Sequence, residues 1–187
     1  MDRRKALVHM GMSLGYVVAT PTFAGLLHSC KDEQTVKWIP KFLSEAEGSL
    51  LKNLVDVVLP KTDTPSASEL NVHQFIDYFA AECFEKEEQD LFKTTLAELA
   101  KKAQSSSDKT EMSALTVTDL TPAMKTAVTK IGTGAPPFAN KLRDLTIWGY
   151  KCNEYVGEEL LAYLPVPGEY VPCGDLKELS SGKAWSE

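Results

Sequence analysis

The sequence predicts an all-α fold: a small irregular bundle of about five helices with an extended, Pro-rich C-terminal tail. Three observations predict it. Apolar residues recur at helical spacing in five separate segments. No alternating apolar–polar stretch runs longer than a few residues, so no strand is expected. Pro, Gly and short polar clusters punctuate the segments.

The first helix opens at Ser44-Glu45-Ala46-Glu47, a capping box in which the Ser hydroxyl takes an early backbone N–H and Glu47 reaches back. Leu50, Leu51, Leu54, Val57 and Val58 form its stripe, and Pro60 ends it. Lys61 to Ser68 is a loop. Pro60 and Pro65 restrict its backbone, and Asp63 and Thr64 are suited to bond neighbouring N–H groups, with Asp63 as a candidate cap. A second helix carries Val72, Phe75, Ile76, Phe79 and Cys83 on one stripe, with Cys83 expected to be a buried small hydrophobe. A third carries Phe92, Leu96, Leu99 and Ala103. Gln104 to Glu111 reads as a solvated loop. Thr121-Pro122 is expected to open a fourth helix with Met124, Ala127, Val128 and Ile131, stopped by Gly132. The fifth runs from Phe138 through Leu142, Leu145, Gly149 and Cys152 to Val156. After Leu161, Pro165, Pro167, Gly168, Pro172 and Gly174 predict an extended surface segment.

Residues 1–29 belong to another class of sequence. A charged start, Asp2-Arg3-Arg4-Lys5, precedes a moderately apolar stretch from Ala6 to Leu27 that ends in Leu27-His28-Ser29-Cys30. That order is the order of an export signal. Arg3 and Arg4 followed by Leu7 are similar to a twin-arginine signal, with Ala6 in place of the usual larger apolar residue. Leu27, Ser29 and Cys30 are similar to a lipoprotein box, with Cys30 as the lipid acceptor. The competing reading is an uncleaved membrane helix, since the stretch is long enough to span. Gly11, Gly15, Pro21 and Gly25 weigh against it. The expected organisation is an export signal over 1–29, a tether over 30–43, a helical domain over 44–175 and a tail over 176–187.

Charge and composition remove several functions. The chain has 187 residues and a net charge of −6, and lacks the clustered Lys and Arg that phosphate binding needs, so nucleic acid is not an expected partner. There is no Cys-x-x-Cys, no Gly-rich dinucleotide or phosphate loop and no nucleophile elbow. No catalytic, cofactor-binding or metal-ligating residue is therefore assigned. His73 reads as a capping or surface group rather than a ligand. Glu82, Glu85, Glu87, Glu88 and Asp90 read as a solvated junction between helices. Cys152 and Cys173 form a candidate disulfide pair, because the chain turns back at Pro165–Gly168.

Leu59-Pro60-Lys61-Thr62-Asp63-Thr64-Pro65-Ser66-Ala67, then Val72-His73-Gln74-Phe75-Ile76-Asp77, resembles the family called gluconate 2-dehydrogenase subunit 3. So do Leu142-Arg143-Asp144-Leu145-Thr146-Ile147-Trp148-Gly149-Tyr150 and the closing Pro165-Val166-Pro167-Gly168-Glu169-Tyr170 with Cys173. The resemblance implies a non-catalytic accessory subunit. It implies a large partner of the glucose–methanol–choline (GMC) oxidoreductase type that holds FAD and oxidises a sugar, sugar acid or glycoside. It also implies a c-type cytochrome subunit, carrying haem, as electron acceptor. The small subunit would escort the folded flavoprotein to the periplasmic side and hold it at the membrane through lipid on Cys30. Pro60, Asp63, Thr64 and Pro65 become candidate partner contacts. The alternative is a stand-alone envelope lipoprotein with a binding or scaffolding role; a small enzyme is a third reading.

Overall fold

The capping box at Ser44 forms as the sequence predicts. Ser44 Oγ accepts the Glu47 N–H at 3.3 Å, and Glu47 Oε2 accepts the Ser44 N–H at 2.8 Å. It starts helix α1, Glu45–Val58, in a computed structural model that describes residues 38–129, 138–166, 168, 171 and 173–186. The expected export signal and Cys30 lie outside the described residues, as does Gly132.

Four further long helices follow: α2 Val72–Cys83, α3 Lys86–Ser106, α4 Val117–Thr129 and α5 Ala139–Lys151. No strand occurs among the described residues, so the fold is all-α. Helix α1 is the central element and touches each of the other four. Its stripe of Leu50, Leu51, Leu54 and Val55 is wholly buried. Phe92, Leu96 and Leu99 of α3, Leu120 of α4 and Leu142 of α5 close the core around it. Burial of each such side chain stabilises the fold by about 1.5–3 kcal/mol. Thr95 Oγ1 on α3 accepts the Phe138 N–H at 3.1 Å, which fixes the start of α5.

The boundaries of three elements differ from expectation, each for a local reason. Helix α4 begins at Val117, not at Thr121. Asp119 accepts both the backbone N–H and the hydroxyl of Thr116, so the cap forms one turn earlier. Lys109 and Thr116 hold the Asp119 carboxyl well below the usual carboxylate range. Pro122 then sits inside the helix on its exposed side, and the Thr121 hydroxyl donates back to the Val117 carbonyl. Helix α3 extends to Ser106, into the expected loop, because Ser105, Ser106 and Ser107 donate their hydroxyls to the carbonyls of Lys102 and Ala103. The fifth helix breaks at Cys152 rather than continuing to Val156. Asn153 Oδ1 accepts the Tyr155 N–H, a local turn that competes with the helix, and a π-helical turn, Tyr155–Leu160, follows.

The C-terminal segment is not extended throughout. A short helix α6, Leu176–Ser180, is capped by Asp175, and Ala162 pairs with the segment around Trp185 through two backbone bonds of 2.7 and 2.9 Å.

Candidate functional site

The Pro60–Pro65 loop connects α1 to α2, with residues 60–63 exposed and Thr64 and Pro65 half-buried. Its tip closes on itself through Thr62 N–H to the Thr64 carbonyl at 3.1 Å, and its base closes through Ala67 N–H to the Leu59 carbonyl at 3.1 Å. From α5, the Tyr150 hydroxyl donates to the Pro65 carbonyl at 2.9 Å. Lys61 and Glu69 pair across the base at 2.6 Å, which holds Glu69 below the usual carboxylate range. Asp63 is exposed at the tip and makes no hydrogen bond, so the expectation that it caps is overturned. Asp56 of α1 does that work, accepting the Ser68 N–H at 2.8 Å and the Ser68 hydroxyl at 2.7 Å. Helix α2 then opens from Asn71 in the left-handed region, φ 57°, without a side-chain cap. The loop therefore presents the unengaged Asp63 carboxylate on a fixed frame.

Two polar residues of α2 sit in the interior. His73 is 4% exposed, contrary to the expected surface or capping role. Its pKa is lowered to about 4, chiefly by burial and also by Lys52, with Asp56 and Asp77 opposing them. It is neutral at pH 7. Asp77, one turn on, is fully buried. Its carboxylate accepts three backbone N–H groups: Lys41 at 2.6 Å, Phe42 at 3.2 Å and Leu43 at 3.0 Å. The end of the segment read as a tether is thus clamped to α2. Sequence spacing gave no sign of this clamp, because its partners lie 34 to 36 residues apart.

Between α2 and α5 runs an aromatic seam. Trp148 packs edge-on to Phe75 and Phe79 at 5.3 and 5.5 Å, and Phe79 continues through Phe84 to Phe92 and Phe138. Phe84, rather than Cys83, takes the buried place at the end of α2; Cys83 is exposed, which corrects the expected stripe. Gly149 lets the two helices approach. A Cβ there would lie 2.6 Å from the Phe75 ring and 3.2 Å from Val72.

The acidic junction is paired rather than convergent: Glu82 with Lys41, Glu88 with Lys141, and Asp90 with Lys86. Among the described residues, no group of three or more His, Cys, Asp or Glu side chains is placed to hold a metal ion. No described helix is long and apolar enough to cross a membrane. Cys152 and Cys173 are exposed free thiols, so the candidate disulfide is not formed in this structure. Arg3 and Arg4 lie outside the described residues. Pro60, Asp63, Thr64 and Pro65 are brought together on one loop between α1 and α2.

The described residues thus form an all-helical bundle whose α1–α2 loop is closed at tip and base. The family model described as gluconate 2-dehydrogenase subunit 3 matches residues 45–168, about two thirds of the chain. The chain belongs to that family, an accessory subunit of a dehydrogenase complex. No curated relative and no solved structure matches.

Proposed function

We propose that this chain is the non-catalytic small subunit of an FAD-dependent, GMC-type dehydrogenase that oxidises a sugar, sugar acid or glycoside on the periplasmic side of the membrane. FAD belongs to the large partner, and a c-type cytochrome subunit takes the electrons. Arg3 and Arg4 direct export of the folded pair, and lipid on Cys30 anchors it. The observation that carries this reading is the family match over residues 45–168. The sequence in front of it supports the export role, since a flavoprotein loaded with FAD in the cytoplasm has to cross folded. The Pro60–Pro65 loop supports the binding role. It is held at tip and base, and a rigid loop loses little entropy when a partner covers it.

The test is co-expression of the full chain with its flavoprotein subunit, tag on one and flavin absorbance on the other. The reading expects a complex that carries flavin, while the small subunit purified alone is colourless and inactive. Replacing Arg3 and Arg4 with Lys is expected to leave both proteins in the cytoplasm. Mass spectrometry is expected to find Cys30 as a lipid-bearing N-terminus. A yellow, active small subunit without its partner would defeat the proposal.

A further inference from the structure

The described residues after α5 are hydrogen-bonded to one another yet mostly exposed. The described parts of the segment 154–186 are held by backbone bonds between Ala162 and the stretch around Trp185, by the Lys183 ammonium on the Glu159 carbonyl at 2.6 Å, and by the Asp175 cap. Yet among its described residues only Val156, Gly157 and Ser180 are buried. Tyr155, Tyr163, Leu164, Leu176 and Trp185 are all between 44% and 56% exposed. Isolated exposed apolar residues need no explanation, but this many among the described residues of one short segment mark an interaction surface. Aromatic side chains are the residues such surfaces favour.

Charge selects the occupant. Residues 154–186 carry six acidic residues against two lysines, a net charge of −4 in a chain whose net charge is −6. Anionic lipid is repelled by such a surface, and a second copy would bring one acidic arm against another. The complementary occupant is a protein face with an apolar depression rimmed by Lys and Arg. Glu154, Glu158 and Glu159, all exposed, supply the acidic side of the pairing.

We propose that residues 154–186 form an acidic, aromatic docking arm that seats on a basic-rimmed apolar face of the flavoprotein subunit. This rests on the reading of the chain as that subunit's partner. Tyr163 and Trp185 are the anchors, and Glu158 and Glu159 steer and orient the encounter. The arm is a surface distinct from the Pro60–Pro65 loop.

The experiment uses the full chain co-expressed with a tagged flavoprotein subunit, and measures the small subunit recovered per flavin. Replacing Tyr163 and Trp185 with Ser is expected to lower recovery about tenfold or more, as loss of two central anchors does. The Glu158→Lys, Glu159→Lys double variant, which alters only exposed side chains, is expected to lower recovery severalfold and to remove its sensitivity to salt. A Trp148→Ser control on the α2–α5 seam is expected to keep wild-type recovery. The thermal midpoint of each isolated variant reports folding. If the wild type recovers no flavin, the subunit reading fails and the arm's role with it. If the wild type recovers flavin and both arm variants do so equally well, the docking arm alone is overturned. Arm-dependent dimerisation of the isolated chain, or arm-dependent binding to phosphatidylglycerol vesicles, would also overturn it by giving the surface another occupant.

Discussion

Replacing Asp77 with Ala removes one buried carboxylate and leaves three backbone donors, those of Lys41, Phe42 and Leu43, without their acceptor. Each hydrogen bond to a charged group contributes about 1.5–3 kcal/mol, so the simple sum exceeds 4 kcal/mol. That sum is a ceiling. Once the clamp is gone, residues 38–43 are free to peel away and let water take the donors. The loss is then bounded by the burial of Leu43, 6% exposed, and of the Phe42 ring stacked on Phe92 at 6.5 Å. Burying such side chains is worth about 1.5–3 kcal/mol each, so Asp77→Ala is expected to cost about 3–4 kcal/mol. Asp77→Asn keeps one carbonyl oxygen for Phe42 and Leu43 but turns an amide NH₂ towards the Lys41 N–H. One bond is lost and two donors face each other, for a cost of about 2 kcal/mol. Urea unfolding at pH 7 measures both losses, and hydrogen exchange at residues 41–43 locates them. In Asp77→Ala those three amides should exchange far faster than amides of α1. Equal costs for the two variants, or unchanged protection at 41–43, would refute the clamp.

Three other outcomes follow from the geometry. His73 has a folded pKa of about 4 against 6.5 when unfolded, so the unfolded chain binds the proton better; its contribution is intact above pH 6.5 and is lost as pH falls towards 4, by up to about 3 kcal/mol. His73→Gln should flatten that part of the stability–pH curve, and an unchanged curve would remove His73 from it. Gly149→Ala should lose about 1–2 kcal/mol by thermal melting, because overpacking against Phe75 outweighs the roughly 0.5–1 kcal/mol of helix propensity gained; a raised midpoint would show that the seam yields. Asp63→Ala should leave stability within about 0.5 kcal/mol, as for an exposed site without a cap role, while recovery of the flavoprotein complex falls; a destabilised subunit would restore the capping role.

The elements legible in the sequence are those whose signals are local. Ser44 and Glu47 lie three residues apart, and their box forms as spacing predicts. The stripes of α1 and α3 are likewise read from single helical turns, although in α1 Val55 is buried while the expected Val57 and Val58 are only half-buried. Where two local signals compete, the sequence misleads. Thr116 and Asp119 have the same cap grammar as Ser44 and Glu47, but Thr121-Pro122 is the louder pattern and lies one turn too late. Asp175 and Gly182 bracket α6 in the same way, hidden among prolines and glycines. What positions the candidate site is not local. Asp56 reaches Ser68 across 12 residues, and Tyr150 reaches Pro65 across 85. A cap assigned to Asp63 by proximity is in the fold supplied by Asp56 from the preceding helix. No periodicity argument finds such pairs, because they exist only once the helices have packed.

The last turn of α5 gathers these long-range contacts into one place. Gly149 admits the Phe75 ring, Tyr150 holds the base of the Pro60–Pro65 loop, and Cys152 leads directly into the acidic arm. The loop and the arm are therefore supported from adjacent residues but by different bonds. The loop depends on a side-chain hydroxyl; the arm depends on its own backbone pairing between Ala162 and Trp185. Removal of the Tyr150 hydroxyl leaves the Pro65 carbonyl without that donor and costs about 1 kcal/mol at the loop, without touching a bond of the arm. The two surfaces can thus be loosened one at a time. An accessory subunit of a complex contributes through the shape it holds before binding. In this bundle that shape is set by Asp77 on α2 and by the last turn of α5, which packs on the same helix through Trp148 and Gly149.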